Sequence, residues 1–111
     1  MASYSDAKSV HETLTGTTVD TVTLSQFWDA VEITNHDSST PLYVRFDAQN
    51  PTSGGEGSWV VPRAASKTFK TSDGVSNWAA GVAGSTAEAT APIRVRIVGN
   101  NNAYSVEGSS L

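Results

Sequence analysis

Cysteine is absent from the 111 residues of this chain. Its absence excludes disulfide bonds and thiolate chemistry, so packing, hydrogen bonding or association must provide the stability of the fold. Long apolar runs are absent too: none approaches the ~20 residues that a membrane helix requires, and the first residues lack the charged-then-apolar order of a secretory signal. We therefore expect a soluble protein that is made in the cytoplasm and has no membrane partner.

Positive charge is also scarce. Seven lysine and arginine residues stand against eleven aspartate and glutamate residues, which gives a net charge of −4. Nucleic acid and anionic lipid surfaces both attract proteins with a basic face, and this balance provides no general attraction to either. We expect a mildly acidic surface and no nucleic-acid partner.

The side chains that usually carry out catalysis are few. The only histidines are His11, in a polar segment, and His36, in a turn beside Asp37. Adjacency in sequence does not orient an imidazole as a general base, and a catalytic serine needs such a base beside it. The acidic residues are scattered along the chain, without the facing pair that a glycosidase requires. The sequence therefore predicts a protein that is not an enzyme.

Metal and phosphate sites are not indicated either. No cluster of cysteine and histidine is present for zinc. Asp47, Asn50 and Glu56 share one loop, but their spacing differs from that of an EF-hand, and a polar turn is the better interpretation. The glycine-rich residues 54–57 are followed by neither a lysine nor a helix, as a phosphate-binding loop would be. We expect no cofactor and no metal.

Alternation of apolar and polar residues is the strongest pattern present. Residues 93–98 and 103–108 alternate strictly, which predicts a half-buried β-hairpin near the end of the chain. Residues 30–35 and 42–47 show the same period and predict a second hairpin. About seven or eight short, mostly antiparallel strands recur at roughly ten-residue spacing, which is typical of a sandwich or small barrel. The predicted fold is all-β: a single β-sandwich or small barrel spanning residues 17–111.

Two segments depart from this rhythm. Residues 1–16 are polar and end in a turn at Gly16, which predicts an N-terminal arm. Its apolar residues Tyr4, Val10 and Leu14 are spaced so that the arm can lie on a neighbouring subunit, and removal of the arm should leave a folded domain. Residues 72–91 form a long loop rich in alanine and glycine, and loops of this length are usually functional or disordered. We expect partner contacts at both segments.

Arginines and tryptophans are the other candidates for binding. Arg45, Arg94 and Arg96 should project from the polar faces of strands, and arginines two residues apart on a strand share one face. These arginines either pair across strands with acidic residues or dock an acidic partner. Tryptophans in a sandwich usually lie in the core, but Trp78, in the long loop, is expected at an interface.

The order of the segments resembles that of small virion proteins of tailed bacteriophages, especially phages of actinobacteria. The resemblance lies in Val-Glu-Ile-Thr-Asn at 31–35, Pro-Leu-Tyr-Val-Arg-Phe-Asp at 41–47 and Trp-Val-Val-Pro at 59–62, followed by the alternating segment at 93–98 and Tyr-Ser-Val-Glu-Gly at 104–108. It covers residues 17 to 108, interrupted by the 72–91 stretch. This stretch and the N-terminal arm depart from the pattern of those proteins.

The resemblance implies a capsid decoration protein that cements neighbouring major capsid protein subunits on the outer surface of the virion. It also implies a small symmetric oligomer, a dimer or trimer. Many weak contacts repeated over a lattice provide avidity without a strong single site. Two alternatives remain open: a carbohydrate- or receptor-binding sandwich in which Trp28, Trp78 or Tyr43 stacks on sugar rings, and a head–tail joining or tail component.

Overall fold

The computed structural model describes residues 2–26, 28, 30–46, 49–70 and 93–109. The fold in these ranges is all-β, as the alternation predicted, and none of the described segments is a helix that could cross a membrane. The described strands are β1 (Ser3–Asp6), β2 (Ser9–Thr13), β3 (Asp20–Leu24), β4 (Ala30–Asn35), β5 (Leu42–Arg45), β6 (Trp59–Val61), β7 (Ser66–Lys70), β8 (Ile93–Val98) and β9 (Ala103–Ser109).

The strands form two sheets that pack face to face. Sheet A has the order β1-β3-β8-β5-β6, and sheet B has the order β2-β9-β4-β7. The pair β1–β3 is parallel and the other pairs are antiparallel. Among the described strands, β5 and β6 are the only consecutive ones that pair with each other. All other pairs of consecutive described strands have one member in each sheet.

The two predicted hairpins are therefore wrong, although the strands themselves are present. β4 and β9 lie in sheet B, whereas β5 and β8 lie in sheet A. Alternation indicates that a strand buries one of its two faces. This is true whether the strand pairs with the preceding strand or lies in the opposite sheet. The pattern thus identifies the strands without identifying their partners.

A buried pair of amides holds two of these crossings together at one end of the sandwich. The side chain of Asn102, in the β8–β9 connection, donates hydrogen bonds to Asn35 Oδ1 at 3.0 Å and to the Thr40 carbonyl at 2.7 Å. The amide of Asn35 donates to the same Thr40 carbonyl at 2.8 Å. Both asparagines are almost fully buried, so these bonds satisfy groups that water cannot reach.

The core lies between the two sheets and is formed by the inward faces of the strands. Val60 is 42% exposed, while its neighbour Val61 is buried because Val61 is the one that lies opposite the buried Leu42. The side chains buried between the sheets include those of Val22, Val31, Ile33, Leu42, Val44, Phe46, Phe69, Ile93, Val95, Ile97, Tyr104 and Val106.

The N-terminal residues are not an arm, which corrects the predicted division at residue 16. β1 adds to the edge of sheet A and β2 to the edge of sheet B, so residues 3–13 close one side of the sandwich. Val10 is 6% exposed and Leu14 is 2% exposed, and both belong to the core of this chain. The segment lacks a visible strand pattern because β1 and β2 are short and each carries a single inward apolar side chain, Tyr4 or Val10.

Further contacts fix this closed edge. Asp6 Oδ1, in the turn between β1 and β2, accepts hydrogen bonds from the backbone N–H groups of Lys8 at 3.0 Å and Ser9 at 3.4 Å, which lower the pKa of Asp6. Beneath the edge, the hydroxyl of Tyr104 donates to Asp20 Oδ2 at 2.9 Å. Burial raises the pKa of Asp20, whose side chain is 2% exposed.

The opposite edge is closed by aromatic side chains. Trp59, on β6, packs edge-on against Phe69, on β7, with ring centroids 5.8 Å apart, and so joins the two sheets. Lys67 Nζ lies 5.1 Å from the centroid of the Trp59 ring, within cation–π distance. Although Trp59 was expected in the core, it is 38% exposed.

Candidate interaction faces

The three candidate arginines lie together on the outer face of sheet A. Arg45 on β5 stands directly opposite Arg96 on β8, and Arg94 stands opposite Thr23 on β3. We call this surface the arginine face, and its outward strand residues are Ser3, Ser5, Thr21, Thr23, Tyr43, Arg45, Val60, Arg94, Arg96 and Val98. None of these residues is acidic. The structure thus adds Arg45 to the pair, Arg94 and Arg96, that alternation assigned to one face.

Two of the arginines hold a loop of their own chain. Arg96 Nη1 donates to Asn50 Oδ1 at 2.8 Å, and Arg45 Nη1 donates to the backbone carbonyl of Glu56 at 3.2 Å. Gly57, at φ +79°, lies so close that a Cβ there would approach the Arg45 guanidinium to 2.7 Å. These bonds anchor residues 50–57 over the face through neutral oxygens, an arrangement that neither sequence interpretation anticipated.

Arg94 is the arginine left open to a partner. Its side chain is exposed, and no described residue forms a hydrogen bond or an ion pair with it. A guanidinium in this position offers several N–H donors to a carboxylate without first breaking a contact within the chain. Arg94 is therefore the most accessible cation of the arginine face.

A groove with an apolar floor adjoins the arginine face. Its volume is about 550 Å³, and Asn50, which binds Arg96, forms part of its wall. Its apolar lining comes from Val19, Pro41, Pro51 and Val98. The arrangement places a small hydrophobic recess beside charged donors, which is typical of protein interfaces.

The outer face of sheet B brings together the only two histidines of the chain. Ser105 lies on β9 opposite His11 on β2, and its Oγ is 2.7 Å from His11 Nδ1. The same oxygen is 2.7 Å from Nε2 of His36, which follows β4. We call His11, His36 and Ser105 the histidine cluster. Sequence reasoning missed it because its members are far apart along the chain and meet only through strand register.

The histidine cluster does not have the geometry of a catalytic triad. The Ser105 side chain is 6% exposed and points to the two imidazoles rather than to an open substrate site. The Asp37 carboxylate, next to His36 in sequence, instead accepts hydrogen bonds from the backbone N–H groups of Ser39 and Thr40 and from the Ser39 hydroxyl. These bonds lower the pKa of Asp37 and stabilise its turn. The described residues thus provide no carboxylate that orients either imidazole.

Acidic side chains surround the histidine cluster. Glu107 on β9 stands directly opposite Glu32 on β4, and both are exposed. Glu12 and Glu107 also line an open cavity of about 680 Å³ around the two histidines. Like charges directly opposite each other destabilise a sheet. Two carboxylates thus face each other on the outer face of sheet B, whereas on the arginine face Arg45 stands opposite Arg96.

The remaining candidate residues fall into three groups. Val10 and Leu14 are buried within this chain and cannot contact a neighbouring subunit, which corrects their predicted role. Tyr4 is half-buried and packs against the core. Trp78 and the long loop at 72–91 lie outside the described residues.

Trp28 is occupied by its own chain. Its Nε1 donates to the Ala7 carbonyl at 3.0 Å, and a Cβ on Gly108 would overlap its ring. The ring therefore packs against the backbone of β9 at Gly108. This position does not suit the predicted stacking of Trp28 on a sugar.

Comparison with known proteins finds no match: no family model, no curated protein and no solved structure is similar enough to this chain to identify it. The resemblance to phage virion proteins therefore has no support from a relative. A function for the chain depends on the chemistry of its two outer faces.

Proposed function

We propose that this chain is a structural protein of a phage virion that decorates the capsid, with its arginine face docked on an acidic surface of the major capsid protein. The observation that supports this proposal best is the grouping of Arg45, Arg94 and Arg96 on one sheet face whose described outward strand residues include no acidic one, in a chain of net charge −4. A small symmetric oligomer, a dimer or trimer, is part of the proposal.

The position of the arginines favours a docking role over general solubility. They stand on β5 and β8, which lie inside sheet A and have a paired strand on each side. Such strands hold a binding group more rigidly than a loop does, so less entropy is lost on association. The acidic remainder of the surface is repelled by an acidic partner, which leaves the arginine face as the one that approaches it.

The closed sandwich also suits a cement protein that has no disulfide bonds. The N-terminal strands complete one edge of both sheets, and the Trp59 and Phe69 rings join the sheets at the other edge. A decoration protein makes the same modest contact at many lattice positions, so each contact can be weak while the coat as a whole is stable.

The test is co-sedimentation with capsids assembled from the major capsid protein encoded in the same genome. Arg94→Glu should weaken binding on the order of tenfold, because it replaces attraction by repulsion at the open position of the face. The matched control is Arg63→Glu, which changes the charge equally at an exposed turn residue outside the strands that form the arginine face. Equal binding of Arg94→Glu and Arg63→Glu would contradict the proposal.

A glycan array separates this proposal from the carbohydrate-binding alternative. Trp28, one of the three side chains considered for stacking on sugar rings, is packed within the chain, and a capsid decoration protein should bind no specific sugar. Specific sugar binding combined with no capsid binding would favour a receptor-binding role. The number of copies per virion separates capsid decoration, with many copies, from a tail or joining component, with few.

A further inference from the structure

We infer that His11 and His36 form a binding site for a divalent transition-metal ion such as Zn²⁺ on the outer face of sheet B. This site is independent of the proposed capsid contact, which lies on the opposite face. The inference starts from convergence: His11 Nδ1 and His36 Nε2 both lie 2.7 Å from the Ser105 hydroxyl oxygen. The two nitrogens are thus aimed at one point, as the ligands of a metal ion must be.

Backbone hydrogen bonds hold both imidazoles in place. His11 belongs to β2 and pairs with Ser105 in the β2–β9 ladder. The backbone N–H of His36 donates to the carbonyl of Ala103, on the same strand as Ser105, at 2.9 Å. Both rings are therefore carried by backbone that is fixed to β9, so a cation meets them with little rearrangement of the chain.

The surroundings favour a cation and leave it a path of entry. Both histidines are exposed at the wall of the open cavity, and Glu12 and Glu107 line that cavity with them. Carboxylates that line the same cavity attract a divalent cation and repel anions. The same acidic residues argue against phosphate or another anion as the ligand of this site.

The type of ligand selects the metal. Imidazole nitrogen suits Zn²⁺, Cu²⁺ and Ni²⁺, whereas Ca²⁺ and Mg²⁺ require a shell of oxygen ligands. No group of three or more histidine, cysteine, aspartate or glutamate side chains in the described ranges is placed to hold a metal ion. The site therefore provides two protein nitrogens and leaves the other positions to water, so binding should be reversible.

Ser105 competes with the ion. Its hydroxyl occupies the point on which both nitrogens converge, so an ion that binds both rings must displace it or share that point. Removing the hydroxyl while keeping both imidazoles should consequently strengthen binding. If the cluster had only a structural role, the Ser105 hydroxyl would be what holds the two rings together, and its removal would not strengthen metal binding.

The test is a titration of the full chain with ZnCl₂, followed by calorimetry and by ¹⁵N NMR of the histidine rings. We expect one Zn²⁺ per chain, with the largest ¹⁵N shifts at His11 Nδ1 and His36 Nε2. Binding should raise the melting temperature, because the ion connects β2 with the residues that follow β4. MgCl₂ at equal concentration should do neither.

Three variants decide the assignment, each checked by circular dichroism for an unchanged fold. His11→Gln and His36→Gln should each abolish the Zn²⁺ heat and the shift in melting temperature. Ser105→Ala should retain both and bind several-fold more tightly. The site is refuted by an absence of Zn²⁺ binding to the natural chain, by binding that survives in both glutamine variants, or by loss of binding in Ser105→Ala.

Discussion

The two outer faces of the sandwich differ in how their functional side chains are brought together. On the arginine face, Arg94 and Arg96 are two residues apart on one strand, so their shared face follows from local alternation alone. On the face of sheet B, His11, His36 and Ser105 come from three separate parts of the chain and meet only because β2 pairs with β9. Strand periodicity reveals the first kind of site, and strand register is needed for the second.

The largest effect should come from removing the two N-terminal strands, one of which belongs to each face. Deletion of residues 2–14 removes β1 and β2, and with them the buried Val10 and Leu14 and one member of the histidine cluster. Burial of these two side chains alone contributes about 1.5–3 kcal/mol each, a large part of the ~5–15 kcal/mol that stabilises a typical domain. We expect the truncated chain to lose its cooperative urea transition in circular dichroism. A transition that stays within ~1 kcal/mol of the natural chain would restore the arm interpretation.

A smaller effect is expected at the amides that link the two sheets beneath both faces. Asn102→Ala removes the two bonds that the buried amide donates, to Asn35 Oδ1 and to the Thr40 carbonyl, and the bond that its oxygen accepts from the backbone N–H of Asn100. Loss of buried hydrogen-bond partners of this kind should lower the free energy of unfolding by about 2–4 kcal/mol. The exposed Asn101→Ala is not a suitable control, since Asn101 adopts a φ of 59° that favours asparagine. Asn50→Ala, at an exposed amide outside this network, is the better one, and equal losses in the two variants would argue against the buried network.

Each face has a pair of like charges on neighbouring strands, Glu32 opposite Glu107 on sheet B and Arg45 opposite Arg96 on sheet A, and substitutions in the two pairs should differ in their effect on stability. Glu32→Lys places a positive charge opposite Glu107 and should raise the free energy of unfolding by about 0.2–1 kcal/mol, with the gain falling as salt is added. Arg96→Glu should not stabilise the arginine face in the same way, because Arg96 already donates to Asn50. Urea titrations at low and high salt measure both changes. If both variants stabilised the chain equally, the anchoring of residues 50–57 by the arginines would be in doubt.

The dependence of the free energy of unfolding on pH, measured in acid, should distinguish the contributions of Asp37 and Asp20. Hydrogen bonds lower the pKa of Asp37, so its contribution is present above the ordinary value of 3.8 and is lost as the pH falls through the lowered pKa. Burial raises the pKa of Asp20, so its charge opposes folding at neutral pH, and this cost disappears as the pH falls through the raised value. Asp20→Asn, whose side-chain oxygen can still accept from Tyr104, should therefore stabilise the chain at neutral pH and lose this advantage in acid. A stability difference that does not depend on pH would contradict this assignment.

Much of the fold could be predicted from the sequence. β4 spans the residues expected for it, and the inward faces of β4, β5 and β8 agree with the alternation, because one buried face imposes a period of two wherever a strand occurs. The strand count was too low because β1 and β2 each carry one inward apolar side chain, and neighbouring strands rather than their own pattern hold them in place.

The crossings between sheets and the histidine cluster could not be predicted for the same physical reason. They depend on which strands become neighbours, and the side chains that decide this, such as the buried Asn35 and Asn102, have the composition of ordinary turn residues. The sequence feature related to the buried position of Asn102 is the glycine at position 99, because a Cβ there would overlap the Asn102 side chain. Such contacts become visible only once the two sheets face each other.

Electron cryomicroscopy of capsids coated with this protein tests the central claim most directly. Contact of the arginine face with acidic side chains of the major capsid protein, with Arg94 inside the contact and the two histidines turned to solvent, is the predicted result. Capsids that stay bare, or a contact made by the outer face of sheet B, would contradict the account.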